Sequence, residues 1–183
     1  MIDNKKTILF DIDNILRKIT LEEGQKVAEL GCGNFGFFVW PLAKAVGRRG
    51  QVYAVDILRS TLEEIKHQAL KENLPQIKTV WSNLEIFKAT AIEANSLDCA
   101  LLVNVLHQSD KRTEIIREAI RMITRGGKLL IVEWENTDSP LGPKMEKRVK
   151  LESLKIAEPK LGLEIQEEFP AGPYHYGLIL TKL

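Results

Sequence analysis

The feature that most constrains the fold is a short apolar run that leads directly into closely spaced glycines. Val27–Leu30 has the composition of a buried strand, and Gly31, Gly33 and Gly36 follow it before the helical pattern of Phe37–Val46. Glycines allow the backbone to turn sharply and to approach a ligand, and the start of the next helix offers N–H groups without helical partners. The segment therefore predicts a strand, a ligand-binding turn and a helix.

A second apolar run ends in an acidic residue at the spacing that nucleoside binding requires. Val52–Val55 is the predicted strand. Asp56 follows it about 20 residues after Gly36, where a carboxylate can accept hydrogen bonds from both ribose hydroxyls. The two segments together predict a bound nucleoside. The alternative is that the glycines only form a tight turn and that Asp56 is a solvated strand end.

The glycine spacing is also that of dinucleotide-binding proteins. An acidic residue just before the glycines distinguishes a dinucleotide from a cationic nucleoside ligand. Gly31, Gly33 and Gly36 form Gly-x-Gly-x-x-Gly, which would fit a nicotinamide or flavin enzyme. Glu29 stands at the carboxyl end of the strand, where its negative charge would repel a pyrophosphate and attract an ammonium or sulfonium group. S-adenosylmethionine is a ligand of this kind.

Apolar runs alternate with longer segments of helical period along the chain. This alternation predicts βα units around a mostly parallel sheet, and runs such as Cys99–Val103 fit strands that are covered on both faces. The last two strands are joined by a short turn and are expected to pair as an antiparallel hairpin. The predicted strands are Val27–Leu30, Val52–Val55, Lys78–Trp81, Asp98–Val103, Leu129–Trp134, Leu163–Phe169 and Tyr174–Lys182.

Helix boundaries are predicted from capping and stop signals. Ser60 is a predicted N-cap, with Glu63 three residues later as in a capping box. Gly126-Gly127 is a predicted helix stop and turn. The cations of the last helix, including Arg148, lie among acidic residues and predict a solvated face. The predicted helices are Asp11–Ile19, Phe37–Val46, Ser60–Glu72, Arg112–Ile123 and Met145–Glu158.

Length and charge limit the function classes. A chain of 183 residues has the length of one ordinary domain, so no separate substrate domain is expected. The net charge of +1, from 26 Lys and Arg against 25 Asp and Glu, gives no global field for nucleic acid. No run approaches the roughly 18 apolar residues of a membrane span, and the 2 cysteines predict neither a disulfide framework nor a metal site. A cytoplasmic protein is expected.

The chain contains four motifs in a fixed order: Val-Ala-Glu-Leu-Gly-Cys-Gly at 27–33, Val-Tyr-Ala-Val-Asp at 52–56, Asn-Ser-Leu-Asp at 95–98 leading into Leu-Leu-Val-Asn-Val-Leu-His at 101–107, and Arg-Gly-Gly-Lys-Leu-Leu-Ile-Val-Glu-Trp at 125–134. This order resembles class I S-adenosylmethionine-dependent methyltransferases, most closely the small ubiquinone/menaquinone-biosynthesis-like type. The resemblance implies an α/β, Rossmann-like class I methyltransferase fold. Such a fold has a mostly parallel seven-stranded sheet, a C-terminal antiparallel hairpin and helices on both faces.

The same resemblance implies which residues hold the methionine portion of S-adenosylmethionine. Glu29 and the backbone of Gly31, Cys32 and Gly33 are the matching positions, and Gly36 completes the loop. The motifs are specific for the superfamily and not for the acceptor.

The resemblance also assigns the nucleoside end of the cofactor. Asp56 would bind the ribose hydroxyls, Ile57 would flank the adenine, and Asn83 and Leu84 match the adenine-binding step. The family usually has an acid at the position of Asn83, whose carbonyl could still accept from the adenine amino group. Phe35 is an apparent extra residue in the glycine loop, and it is expected to shift the helix start and partly fill the pocket.

Methyl transfer from a sulfonium needs no nucleophilic side chain, although a hydroxyl acceptor needs a base. Asn104 and His107 follow the fourth strand, at the sheet edge where ligands of open α/β sheets bind. His107 is predicted to act as a general base or acceptor contact, against the alternative of a polar loop residue, and Asn104 to form part of the cofactor or acceptor wall. Glu133 either faces the acceptor or is an exposed strand end. His175 is expected to pack within the hairpin.

Residues 1–183 are predicted to form one methyltransferase domain. Its parts are a helical cover at 1–24, a cofactor-binding core at 25–134, and an acceptor-side loop, helix and hairpin at 135–183. This leaves room for a small, partly open pocket that a second copy of the chain could complete as a homodimer. The predicted reaction is in-line methyl transfer to a small or moderately apolar acceptor.

Three other functions remain open. The first is a non-catalytic binding protein on this fold, and the second is an RNA-directed methyltransferase, which the near-zero net charge disfavours. The third is suggested by Ile8–Ile15, which resembles the aspartate nucleophile loop of haloacid-dehalogenase-type phosphatases, with Asp11 and Asp13 as its carboxylates. Asn14 and Ile15 depart from that pattern.

Overall fold

The structure, a computed structural model, describes residues 11–137, 139 and 141–183. Residues 8–10 of the phosphatase-like loop and residues 1–10 of the predicted helical cover lie outside the described residues. The described strands are β1 (Lys26–Leu30), β2 (Gln51–Asp56), β3 (Ile77–Trp81), β4 (Leu97–Val103), β5 (Ile123–Trp134), β6 (Leu163–Gly172) and β7 (His175–Lys182). The described α-helices are α1 (Ile12–Ile19), α2 (Val39–Val46), α3 (Arg59–Lys71), α4 (Arg112–Met122) and α5 (Leu151–Ala157).

The seven strands form one sheet in the order β3-β2-β1-β4-β5-β7-β6. Strands β1 to β5 are parallel, whereas β7 runs antiparallel to both β5 and β6. This confirms the predicted mostly parallel sheet with a C-terminal hairpin. The chain passes from β1 to β2 and β3 on one side and returns to β4 and β5 on the other, so a crevice opens at the carboxyl ends of β1 and β4.

Two apolar cores, one on each face of the sheet, hold the helices. On one face, Ile15 of α1, Leu42 of α2 and Ile65 of α3 belong to one cluster of buried side chains. On the other face, Ile116 of α4 and Leu154 of α5 belong to a second cluster. Successive strand residues point to opposite faces, so the central strands supply both cores. The prediction of helices on both faces is confirmed.

The start of α2 lies two residues later than predicted, because the glycine loop is longer. Gly36 has a φ of +52°, and a Cβ there would lie 3.2 Å from Ile65 Cδ1, so a side chain at this position would be both strained and crowded. The turn occupies residues 33–38, Phe38 is fully buried, and the helix begins at Val39.

The predicted capping box at Ser60 is wrong. Helix α3 begins at Arg59, which places Ser60 inside its first turn, and the N-cap residue Leu58 makes no side-chain cap. Instead, Asp56 Oδ1 accepts a hydrogen bond from the Leu58 N–H at 2.9 Å. The acid at the end of β2 therefore fixes the chain that enters the helix.

The prediction that Gly126-Gly127 ends a helix is also wrong. Helix α4 ends at Met122 and β5 begins at once, so both glycines lie within the strand. The register to β4 shifts here, between Leu97 and Cys99. A Cβ on Gly127 would lie 2.7 Å from Ile123 Cγ2, so glycine is required by a strand irregularity rather than by a helix end.

The segment after β5 departs most from the sequence prediction. Helix α5 is short, and Met145–Lys147 forms a separate 3-10 turn before it. Arg148 is 6% exposed rather than solvated. Its guanidinium donates hydrogen bonds to the backbone carbonyls of Glu135, Thr137, Leu141 and Pro143 at 2.5–3.0 Å. Arg148 adopts an extended backbone (φ −65°, ψ 143°) after the 3-10 turn, which interrupts the predicted helix.

A buried ion pair attaches the segment after β3 to α4. Glu118 is fully buried and accepts hydrogen bonds from Arg121 Nε and Nη2, both at 2.9 Å. It also accepts from the N–H groups of Lys88 at 2.7 Å and Thr90 at 3.0 Å. Burial raises the pKa of Glu118, but the hydrogen bonds from Arg121, Lys88 and Thr90 outweigh it, and the net pKa is lowered.

Replacing Glu118 should destabilise the fold strongly. Glu118→Ala removes one partner of a buried pair, so we expect the free energy of unfolding at neutral pH to fall by about 3–5 kcal/mol in urea titrations. The lowered pKa means that the Glu118 contribution is present above the ordinary pKa of 4.5 and is lost as the pH falls through the folded-state value. The difference from the wild type should therefore shrink in acid.

Glu114→Ala is the matched control. Glu114 lies on the same helix and pairs with Arg117 at the same spacing, but its side chain is 39% exposed. We expect this variant to lose less than about 1 kcal/mol. Equal losses in the two variants would contradict the role given to Glu118.

Candidate functional site

The crevice at the carboxyl ends of the central strands brings together most of the residues that the sequence singled out. The glycine loop after β1 contacts Asp56 at the end of β2, because Gly33 N–H donates to Asp56 Oδ2 at 2.9 Å. It also lies against the loop after β4, since a Cβ on Gly31 would be 2.6 Å from Val105 Cγ2. His107 follows in that same loop.

Glu29 is a buried carboxyl with an unused oxygen. It is 3% exposed, it accepts backbone hydrogen bonds from Val39 and Phe38 at the start of α2, and its Oε2 has no partner among the described residues. Burial raises the pKa of Glu29 to about 8; the N–H groups of Val39 and Phe38 oppose the rise, and the charge of Asp56 adds to it. A cationic group placed beside Oε2 would stabilise the charged carboxylate.

The loop after Glu29 presents backbone rather than side chains to the crevice. Gly31 has a φ of +80° and lacks space for a Cβ, and its N–H donates to Val55 O at 2.8 Å. Gly33 has a φ of +60° with no atom near the position of a Cβ, so its backbone is open to a ligand. Cys32 is buried, and burial raises the pKa of its thiol. Cys32 is therefore no nucleophile.

Asp56 holds the crevice together from the end of β2. Its two carboxylate oxygens accept from the N–H groups of Gly33 and Leu58, both at 2.9 Å, and the residue is 8% exposed. Each carboxylate oxygen can accept more than one hydrogen bond. Asp56 therefore retains the capacity to accept from a ligand while it fixes both loops.

The three residues that the sequence assigns to the adenine differ in their exposure and in their contacts. Ile57 is 53% exposed and offers an apolar surface, with its carbonyl accepting from Trp81 Nε1 at 2.8 Å. Leu84 is buried in the core against α4. Asn83 Oδ1 already accepts from the Glu85 N–H at 3.0 Å. The carbonyl that was expected to receive the adenine amino group is thus engaged within its own loop.

Phe35 lies at the surface beside the glycine loop. It is 69% exposed, and its ring centroid lies 5.3 Å from that of Phe37. Together with Trp40 and Thr61 it lines a groove of about 490 Å³ along α3. The ring is therefore largely exposed, and it contacts Phe37 and lines this groove.

Glu133 and His107 form a hydrogen-bonded pair at the edge of the crevice. The Glu133 side chain is fully buried and that of His107 is 14% exposed, with 2.9 Å between Glu133 Oε2 and His107 Nδ1. Glu133 Oε1 accepts from the N–H groups of Leu106, at 2.7 Å, and His107, at 3.3 Å. The alternative of an exposed strand end for Glu133 is wrong, because these three donors satisfy a carboxylate inside the protein.

Asn104 lies next to this pair in a strained backbone conformation. Its φ is +56°, which is uncommon for a residue other than glycine. Its Nδ2 lies 3.2 Å from His175 Nε2, while its Oδ1 has no partner among the described residues. His175 is fully buried and its ring lies 4.1 Å from that of Trp134. The C-terminal hairpin therefore supports the crevice through His175, beyond packing within the hairpin.

Sequence patterns could not find Glu133 and His175 as partners of the site residues. The only local signal was that Glu133 ends an apolar strand, and an exposed strand end gives the same signal. Cavity size also fails to locate the site. A cavity of about 780 Å³ lies along β3 and the end of α3, and it is lined by none of the residues assigned to cofactor or acceptor.

No metal centre is evident in the part of the chain that the structure describes. Across residues 11–137, 139 and 141–183, no three His, Cys, Asp or Glu side chains come together to hold a metal ion. Within the same residues, no helix has the length and apolar character needed to cross a membrane.

The sequence and the fold are similar to those of methyltransferases. The sequence profile of the family described as "Methyltransferase domain" matches residues 28–131. Among solved structures, a SAM dependent methyltransferase from Aquifex aeolicus has a TM-score of 0.86 at 22% identity, with 96% of this chain and 91% of that chain covered. This likeness shows a shared fold.

Two curated relatives extend the comparison. The ubiquinone/menaquinone biosynthesis C-methyltransferase UbiE of Rhizobium johnstonii is 28% identical over 159 residues, which are 85% of this chain and 57% of that protein. The S-adenosyl-L-methionine-dependent Diels-Alderase iccD of Talaromyces variabilis is 26% identical over 174 residues, which are 90% of this chain and 58% of that protein. The chain therefore spans little more than half the length of either relative.

The buried Glu29 should make the free protein less stable in alkali. Its pKa of about 8 in the folded state lies above the ordinary 4.5. The folded state therefore holds a proton that the unfolded chain releases, and the free energy of unfolding falls as the pH rises between these values. At about 1.4 kcal/mol per pKa unit, the fall is on the order of 3–5 kcal/mol.

Glu29→Gln cannot ionise and should lack this decline. Urea unfolding of the ligand-free protein at about pH 5 and about pH 9 measures the difference. Glu152→Gln, on the exposed face of α5 (side chain 76% exposed), is the control and should behave as the wild type. A parallel decline in Glu29→Gln and the wild type would contradict the buried-acid assignment.

Proposed function

The chain belongs to the methyltransferase-domain family, and from this premise we propose that it transfers the methyl group of S-adenosylmethionine to a small or moderately apolar acceptor. The relatives named above span more than this chain does, so their substrates are not carried over. The acceptor class is carried over from the sequence prediction, in which the near-zero net charge disfavours RNA.

The observation that carries the proposal is the buried Glu29 beside a backbone cradle. Glu29 Oε2 is buried without a partner among the described residues, at the end of the strand that leads into Gly31 and Gly33. A cationic ligand would stabilise the charged form of this buried acid, and the methionine portion of S-adenosylmethionine carries an ammonium and a sulfonium. Asp56, one strand away, suits the ribose hydroxyls. The residues present therefore fit this cofactor.

S-adenosylmethionine supplies an electrophilic methyl group that needs no further activation by the protein. The chain's own contribution is to bind and orient. Glu29, the backbone of Gly31–Gly33 and Asp56 would fix the donor, and Asn104 Oδ1, buried and without a partner among the described residues, would form part of the wall between donor and acceptor. Orientation of this kind can supply roughly 7–11 kcal/mol when the reacting atoms are aligned for in-line displacement.

The adenine end is the weakest part of the predicted cofactor site. Ile57 offers an exposed apolar side chain, but Asn83 uses its Oδ1 within its own loop. This oxygen can still accept a second hydrogen bond, but the contact with the Glu85 N–H fixes its orientation within the loop. We therefore propose that affinity derives mainly from the methionine and ribose ends.

A function without methyl transfer is the second candidate, and one comparison favours it. The relative from Talaromyces variabilis is named as an S-adenosyl-L-methionine-dependent Diels-Alderase, so a relative with this cofactor in its name need not be a methyltransferase. In contrast, Phe35 gives little support to a blocked pocket, since it is 69% exposed. The homodimer stays a prediction from the sequence, and an RNA acceptor stays the alternative that the near-zero net charge disfavours.

Calorimetry with S-adenosylmethionine tests the cofactor directly. We expect binding by the wild type, and Asp56→Ala should weaken it at least about tenfold, because it removes charge-assisted hydrogen bonds of about 1.5–3 kcal/mol. Glu29→Gln should weaken binding as well, since the amide cannot neutralise a cation. Release of S-adenosylhomocysteine in the presence of an acceptor then separates methyl transfer from binding alone.

Asp98→Ala is the matched control for Asp56→Ala. Asp98 Oδ2 also accepts a hydrogen bond from a backbone N–H, that of Lys26 at 2.8 Å, but it lies at the opposite end of the sheet. Its loss should leave the cofactor affinity unchanged. Absence of binding at millimolar cofactor, or equal affinity in wild type and Asp56→Ala, would overturn the proposed function.

A further inference from the structure

Glu133 holds both the backbone and the imidazole ring of His107. Glu133 lies at the end of β5 with its carboxylate fully buried, and His107 lies in the 3-10 turn Leu106–Gln108 that follows β4. One carboxylate oxygen accepts from the turn's backbone, and the other lies 2.9 Å from His107 Nδ1. The imidazole is thus held by the same side chain that holds its backbone.

This contact determines which ring nitrogen carries the hydrogen. An ionised carboxylate can only accept, so the hydrogen of the neutral imidazole lies on Nδ1 and the lone pair lies on Nε2. Nothing among the described residues makes a hydrogen bond to His107 Nε2, and the side chain keeps 14% of its surface exposed. Nε2 is therefore an accessible acceptor at the sheet edge that carries the predicted cofactor site.

We propose that His107 is the general base of the reaction, that Glu133 is its positioning residue, and that the methyl acceptor is a phenol or an enol. This inference rests on the proposed function and adds to it the chemical class of the acceptor. The observation that carries it is the Glu133–His107 contact with Nε2 left open.

The proposed step conserves protons and electron pairs. The acceptor's O–H proton passes to His107 Nε2, and the electron pair freed on the acceptor forms the new bond to the methyl carbon of the sulfonium donor. The bond between that carbon and sulfur breaks, its electron pair stays on sulfur, and S-adenosylhomocysteine leaves as a neutral thioether. The imidazolium then has both N–H groups, with Nδ1–H still donating to Glu133, and it returns its proton to solvent.

The strength of this base favours phenols and enols over other hydroxyl acceptors. Phenols have pKa values near 10, about 3–4 units above imidazole, so proton transfer coupled to methyl transfer is accessible. Aliphatic alcohols are far weaker acids. Thioethers and pyridine-type nitrogens have a free electron pair and no proton to lose, so they would gain nothing from His107.

A purely structural role for Glu133 is the competing explanation. In that case Glu133 would only accept hydrogen bonds from the N–H groups of Leu106 and His107, and so fix the turn after β4. Glu133→Gln separates the two roles, because its amide oxygen can still accept from these N–H groups. Its amide N–H₂ would instead donate to His107 Nδ1, which moves the ring hydrogen to Nε2 and removes the base.

Nitrogen NMR of ¹⁵N-histidine-labelled protein tests the positioning role without any acceptor. The chain has 3 histidines, and His67→Gln and His107→Gln assign their signals. We expect neutral His107 to carry its hydrogen on Nδ1 in the wild type and on Nε2 in Glu133→Gln. An unchanged His107 tautomer in Glu133→Gln, or a hydrogen on Nε2 in the wild type, would overturn the assignment of Glu133.

Initial rates with defined probes test the acceptor class. The phenol probes are 1-naphthol and catechol; quinoline and thioanisole have nucleophilic atoms without a proton. We expect S-adenosylhomocysteine release with the first group and not with the second. His107→Gln and Glu133→Gln should lower kcat by about 10²–10⁴-fold with little change in KM.

The controls are His67→Gln, on the exposed face of α3, and Glu152→Gln, on α5; both should keep the wild-type kcat. Transfer to quinoline or thioanisole alone, transfer to none of the probes, or an unchanged kcat in His107→Gln would overturn this inference while S-adenosylmethionine still binds in calorimetry. Loss of cofactor binding by the wild type would instead overturn the proposed function.

Discussion

The crevice depends on the two hydrogen bonds that Asp56 accepts from backbone N–H groups. One fixes Gly33 in the loop after β1, and the other fixes Leu58 at the entry to α3. A parallel sheet provides a crevice where its strand order reverses, but it does not determine how the loops on either side are held. Asp56 joins them, so the position of the glycine backbone and the start of α3 follow from one carboxylate. The same side chain is the predicted ribose ligand, which couples ligand binding to loop geometry.

The three buried glutamates differ in their hydrogen-bond partners, and this difference indicates which of them has a structural role and which a functional one. Glu118 pairs with Arg121 and two backbone N–H groups, and its pKa is lowered. Glu133 is satisfied by two backbone N–H groups and a histidine, whose second nitrogen remains accessible. Glu29 has only the N–H groups at the start of α2, an unused oxygen and a raised pKa. The first two carboxylates are fully hydrogen-bonded, whereas Glu29 Oε2 has no partner among the described residues.

Local sequence patterns predict the scaffold because the spacing of apolar residues in each strand and helix reflects which of its faces is buried. The sheet, the glycine loop and Asp56 all lie within short segments whose composition is informative. The errors at Ser60 and Arg148 arise because a hydrogen-bond partner elsewhere in the chain overrides the local pattern. Ser60 caps nothing because Asp56 holds the chain before it, and Arg148 is buried because carbonyls up to 13 residues away surround it. Glu133 and His175 act on residues 26 and 71 positions away, and no window of sequence contains those pairs.

Arg148 holds the loop after β5 through four backbone carbonyls, and its guanidinium also lies over the Trp134 ring. A carbonyl is present whatever side chain its residue carries, so these hydrogen bonds do not depend on the side chains of the accepting residues. Gly142 differs, because its φ is +89° and a Cβ there would lie 2.6 Å from Trp134 Cε3. Substitutions at the accepting positions can therefore change the surface of the loop while the hydrogen bonds that hold it stay in place. On the sequence prediction that this segment lies on the acceptor side, its surface can change without any change at Glu29 or Asp56.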